Sequence, residues 1–223
     1  MEIINGKIVG WERGYITIRA PYDNAERFIR REYEEVQIGL KDGRTISPQQ
    51  RRKAFALIGE IAEYVGDYTE CVKEERKRDF LREHTQGLEK EMFSLSDCDM
   101  TQAREFIDYL INFILMHDIP THVPLGDLAD DIDRYVYACL IHKKCAVCGA
   151  KADLHHVDAV GMGNNRNEVE HLGRRCLPLC RVHHEELHTM GDARFMEYHH
   201  LKPGVIDEKI IKVYHMRGGK KSA

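Results

Sequence analysis

Two short bites, Cys145-x2-Cys148 and Cys180-x2-His183, constrain this chain more than any other feature of its 223 residues. Each bite offers two ligands to one ion at about 2–2.3 Å, so a pair of them joined by a long excursion builds a tetrahedral zinc site. A structural Zn2+ on Cys145, Cys148, Cys180 and His183 is the expectation. Cys176, four residues before Cys180, is the other residue able to complete the set in place of His183. The seven cysteines make an odd count and four fall in this region, which argues for metal binding in a reducing compartment rather than a disulfide framework. Cys71 and Cys98 read as ordinary thiols and Cys139 as a core residue.

With those ligands assigned, His155, His156, His184 and His188 remain. His184-x3-His188 lies in HHEELHTMG, and residues four apart on a helix project from one face, where both can hold one cation. His155 and His156 lie in LHHVDAV, which reads as a strand whose neighbouring side chains point to opposite faces. Only one of that pair easily joins the helix-held cation, which leaves the other for proton transfer.

The order Cys-x2-Cys, His-His, then Pro-Leu-Cys-x2-His-His-x3-His resembles the HNH endonucleases over residues 140–200. The resemblance implies a ββα-metal core: a strand pair and a helix around one catalytic ion. By it, His156 is the general base, His155 the first metal ligand, His184 the family's last named histidine and His188 a further ligand or phosphate contact. The catalytic divalent cation is Mg2+, Mn2+ or Ni2+, and an imidazole-rich set favours Mn2+, Ni2+, Co2+ or Zn2+ over oxygen-seeking Mg2+. One departure stands out. The asparagine often found nine residues before the last histidine is Arg175 here, with Asn164, Asn165 and Asn167 earlier in the loop. The orientation of the base histidine is therefore in question.

The net charge of −4 divides unevenly. Residues 1–144 carry 21 basic and 27 acidic side chains, whereas residues 145–223 carry 12 and 10. Arg166, Arg174, Arg175 and Arg181 are candidates for phosphate attraction in the second half, the alternative being solvated loop charge. The start MEIINGKIVGWERG lacks a basic segment followed by an apolar run, and no eighteen-residue apolar stretch occurs. The expectation is a cytoplasmic protein without a membrane segment.

The chain opens with strand-like segments, KIVGWERGYITIRAP and REYEEVQIGLKDGRTIS, the latter with a turn at Lys41-Asp42-Gly43-Arg44. Ser47, Pro48 and Gln50 give a capped helix start, with Ala54, Leu57, Ile58, Ile61, Ala62 and Val65 on the buried face and an end near Gly66. A charged helix follows. Another runs from Thr101 to His117, with Phe106, Ile107, Leu110, Ile111 and Ile114 on one side, and the next from about Asp127 to His142, with Leu128, Ile132, Tyr135, Val136, Cys139 and Leu140 inward. Trp11, Phe28 and Tyr33 read as sheet packing, with base stacking the alternative. His199, His200 and His215 read as surface or packing residues.

Thr45 to Pro120 carries a second resemblance. The Ser-Pro-x-Gln helix start, the Ser-Leu-Ser segment before a Met-Thr start and the ending His-Asp-Ile-Pro are similar to the phage lambda Orf (NinB) recombination mediators. This implies a homodimer that binds single-stranded DNA and the host single-strand-binding protein. An Orf-like region before an HNH core resembles HNH nucleases encoded by phages of Gram-positive bacteria.

The fold expected is α+β, a small N-terminal β-sheet plus helices followed by a zinc-bound ββα-metal core. Residues 1–140 form a DNA-binding and dimerisation domain (strands 1–46, helices 47–140), and residues 141–223 the nuclease domain. The function expected is DNA endonuclease activity on single-stranded or branched DNA in phage recombination or replication. The alternative is a non-catalytic mediator with a structural zinc module, and a complete His155, His156, His184 and His188 set separates the two.

Overall fold

A computed structural model describes residues 6–21, 43–84, 92–158 and 171–216. The architecture is mixed α+β, with two small sheets and eight helices among the described residues. The chain divides into two compact units, Met1–Asp42 and Gly43–Ala223.

In the first unit, β1 (Lys7–Glu12) and β2 (Tyr15–Arg19) pair antiparallel with Glu12 opposite Tyr15. Arg13 and Gly14 connect them, both at positive φ (48° and 86°), the conformation whose twist matches paired strands. Trp11 does not pack as a sheet residue is expected to: it is 75% exposed. Phe28, Tyr33 and the strand-like residues 31–42 lie outside the described residues.

The second unit opens on α1 (Pro48–Val65). Ser47 Oγ accepts from the Gln50 backbone N–H and Gln50 Oε1 accepts from the Ser47 N–H, each at 3.1 Å, so two orphan donors are satisfied reciprocally. Gly66, left-handed at φ 71°, closes the helix on the Ala62 carbonyl. Ala54, Leu57, Ile58, Ile61 and Ala62 are buried, whereas Val65, in the last turn, is 52% exposed. The charged helix α2 (Thr69–His84) contributes Phe80 to an aromatic cluster with Phe93 and with Phe106 of α3 (Met100–Met116). Its Arg76 lies over the Phe113 ring, 4.2 Å from the centroid, between Glu75 and Asp79.

The helix expected from Asp127 to His142 is two helices, α4 (Leu125–Leu128) and α5 (Ile132–His142). Ala129 is extended, and Asp131 is an extended N-cap whose carboxylate accepts from the Asp133 and Arg134 N–H groups. An aspartate at this place satisfies the first-turn donors better than continuation of the helix would. Val136, Cys139 and Leu140 of α5 are buried, and α5 packs against α3 as well as against the strands and the last helix described below. Residue 140, where the sequence suggests a boundary, thus lies inside a shared core element.

The second sheet has three antiparallel strands in the order β3 (Asp153–His156), β4 (Arg175–Leu179), β5 (Gly204–Val205). His155 faces Leu177 in the register and His156 faces Cys176. Helix α6 (Arg181–Met190) leaves β4 directly, with Cys180 at its N-cap position, and α7 (Asp192–Tyr198) and α8 (Glu208–Val213) complete the unit. No helix among the described residues is long and apolar enough to cross a membrane.

Candidate metal centre

The first ligand group is Cys145, Cys148, Cys180 and His183, whose ligand atoms all lie within 4.8 Å of one another. Helix α5 ends at Lys143 in a left-handed conformation, and the chain then turns back through a knuckle. The Cys145 N–H donates to the Ala150 carbonyl and the Gly149 N–H to the Cys145 carbonyl, at 2.7 and 2.8 Å, with Gly149 at φ 71°. That curl turns the thiols of Cys145 and Cys148 to one side. The Tyr135 hydroxyl, from the buried face of α5, donates to the Ala146 carbonyl at 3.0 Å and fixes the knuckle to the helical core.

The distances suit a tetrahedral ion. Zinc with sulfur at about 2.3 Å and nitrogen at about 2.05 Å requires S···S edges of about 3.8 Å and N···S edges of about 3.6 Å. Cys148 and Cys180 sulfurs are 3.7 Å apart, and His183 Nδ1 lies 3.4 Å from Cys145 and 3.1 Å from Cys180. Burial pushes the Cys145 thiol up to about 12. For Cys180 burial also acts upward, but backbone N–H donors from His183 and Val182 and the neighbouring thiols outweigh it and hold the thiol below its ordinary range. Cys176 is elsewhere, buried on β4 with its thiol pushed up to about 12, so His183 and not Cys176 joins the other three.

The second group is His155, His184 and His188. His184 and His188 stand one turn apart on α6 with ring centroids 4.5 Å apart. His155 reaches them from β3, its Nδ1 3.0 Å from His184 Nε2 and its ring 5.4 Å from that of His188. One ligand nitrogen from each of the three rings lies within 4.8 Å of the others, and burial holds His155 and His184 below the usual histidine range, toward the neutral form that binds metal. Among the described residues the buried Nε2 of His155 has no hydrogen bond, and Asp192 Oδ1 lies 3.6 Å from it. A ligating histidine characteristically offers its second nitrogen to a carboxylate, so this orphan fits the donor set to a metal.

His156, on the opposite face of β3, stays out of both groups. Its Nε2 lies 3.1 Å from Nδ1 of His171, and burial, then the charges of His171 and Arg174, hold it below the usual histidine range. The segment after it is fastened to β4: the Val157 N–H donates to the Arg175 carbonyl, and Asp158 accepts from the Arg175 N–H and from its guanidinium at 2.7–3.0 Å. Arg181 pairs with Glu185 on the exposed face of α6. Arg166, Asn164, Asn165 and Asn167 lie outside the described residues.

Sequence reasoning missed two members of this neighbourhood. His171 is separated from His156 by fifteen positions, with no spacing rule to join them. Asp192 follows the glycine that ends α6, and only the turn into α7 brings it back to His155.

No curated protein and no solved structure matches the chain. Its sequence does match the family described as Putative HNHc nuclease over residues 23–217, nearly the whole length, and the chain belongs to that family of HNH nucleases.

Proposed function

We propose that the chain is a metal-dependent endonuclease that hydrolyses DNA phosphodiesters, with β3, β4 and α6 as its ββα-metal core. The observation that carries this reading is the convergence of His155, His184 and His188, with a fourth imidazole, His156, next along β3 and left out of the ligand set. Cys145, Cys148, Cys180 and His183 hold a structural zinc. His155, His184 and His188 hold the second cation, which when bound supplies positive charge to a phosphate oxygen and to the departing 3′ oxygen. His156 takes a proton from water as the water oxygen attacks phosphorus, a task for an imidazole that is neutral near pH 7. Arg174, Arg175 and Arg181, with Arg166, attract the backbone. Arg175 and Arg181 do so by exchanging a carboxylate partner for a phosphate.

The decisive test is cleavage of a panel of DNAs, including single strands, flaps, junctions and duplex ends, with Mn2+, Ni2+ and Mg2+. We expect cutting of single-stranded or branched DNA, strongest with Mn2+ or Ni2+, as the imidazole-rich set predicts. No cutting of any substrate with any of these ions would leave the non-catalytic mediator reading.

Residues 1–140 we assign to DNA binding and dimerisation in the manner of the Orf mediators, delivering the nuclease to phage recombination or replication intermediates and to the host single-strand-binding protein. The basic residues available are Arg27, Arg30 and Arg31, which lie outside the described residues, and Arg51, Arg52 and Lys53 of α1. Arg51 bonds the Ser96 carbonyl and Lys53 bonds Ala129 and Asp130, so the exposed Arg52 is the better-placed cation of the three. Full-length His156→Ala protein is expected to sediment as a dimer and to bind labelled single strands with an affinity that falls with salt at a log–log slope of about −0.7 per phosphate contacted. A monomer with no salt-sensitive binding would remove the Orf-like assignment.

A further inference from the structure

His171 is held in place by its own turn. The Arg174 N–H donates to the His171 carbonyl at 3.2 Å across Leu172 and Gly173, and Gly173 has φ 79°, the left-handed conformation that a type II turn requires at its third position. The turn is then anchored on both sides to Ile206, which accepts from the Gly173 N–H and donates to the Arg174 carbonyl, each at 2.9 Å. The result is a half-buried imidazole whose Nδ1 meets His156 Nε2 at 3.1 Å. Among the described residues no other hydrogen bond reaches either ring.

Two imidazole nitrogens 3.1 Å apart meet through one proton, and the base role proposed for His156 decides whose it is. If His171 donated, the Nε2 lone pair of His156 would be occupied and its proton would sit on Nδ1, leaving no nitrogen to accept a proton from water. If His156 donates from Nε2, its Nδ1 lone pair is free. We propose that His171 is the positioning residue of the base: it accepts the Nε2–H of His156 at Nδ1, keeps its own proton on Nε2, and so fixes His156 in the tautomer with Nδ1 open. This rests on the nuclease reading given above. As the water oxygen bonds to phosphorus and the P–O3′ bond breaks, the 3′ oxygen departs, the water proton passes to His156 Nδ1, and the imidazolium that results keeps the Nε2–H bond to His171, which spreads the new positive charge.

The test uses full-length protein in three forms: wild type, His171→Leu, which removes the acceptor, and His171→Asn, which can place an amide oxygen near the position of Nδ1. Long-range 1H–15N correlation spectra of histidine-labelled protein read the tautomer directly. The expectation is Nε2–H on His156 in wild type and in His171→Asn, and a mixed or Nδ1–H population in His171→Leu. In turnover, kcat should fall about 10- to 100-fold in His171→Leu with KM little changed, and recover in His171→Asn. Nδ1–H on His156 in a wild type that cleaves, or wild-type kcat in His171→Leu, overturns the proposal. A wild type that cleaves no DNA overturns the nuclease reading and the proposal with it, whereas the first two outcomes leave the nuclease reading standing.

Discussion

His156→Ala is expected to lose cleavage by a factor of about 10²–10⁴ while still binding the second cation, because a general base contributes that much to proton transfer and none of the three ligands is touched. His156 follows His155 on β3, where successive side chains point to opposite faces, and this is the structural reason to expect the proposed base and the proposed ligand to separate. Calorimetric titration of Mn2+ into the variant should return a wild-type stoichiometry, with turnover measured on the same preparation. Loss of the titratable cation along with activity would mean that the roles of His155 and His156 are exchanged.

Cys145→Ser or Cys180→Ser is expected to act on folding instead. A structural zinc contributes about 10–16 kcal/mol of binding free energy, which matches or exceeds the whole stability of a domain of about 5–15 kcal/mol. Either variant should therefore release about one zinc per chain and unfold the strands β3 to β5 with α6 to α8. Much of the helical circular dichroism should persist, since α1, α2 and α3 pack on one another through Leu57, Ile61, Phe80, Phe106 and Leu110. Elemental analysis that finds no zinc in wild-type protein purified without chelator would refute the assignment outright.

What could be read from the sequence was local. The capping box at Ser47 and Gln50, the left-handed stop at Gly66 and the apolar face of α3 all involve residues a few positions apart, where backbone geometry alone sets the outcome. The ligand bites are of the same kind, three or four positions apart on a turn or a helix. The break between α4 and α5 was missed because the apolar period runs on across it, while Asp131 competes as a cap. The contacts of His171 and Asp192 were not legible because they depend on a glycine turn anchored to Ile206 and on the start of a new helix. The departure at Arg175 was visible in the sequence, but its carboxylate partner Asp158 became apparent only with the strands paired.

Helix α6 carries His183 and His184 side by side, one in the sulfur-rich group and the other in the imidazole group. Successive residues on a helix differ by about 100° in azimuth, so the two groups view α6 from directions about that far apart. The helix behaves as an indexed shaft. With the proposed zinc bound, Cys180 and His183 would clamp one phase of it to the knuckle after α5, and the phase of His184 and His188 toward β3 would then no longer be adjustable. A single residue inserted between Cys180 and His183 would turn the shaft by one index and carry His184 away from His155, with every ligand of the second group still present in the chain.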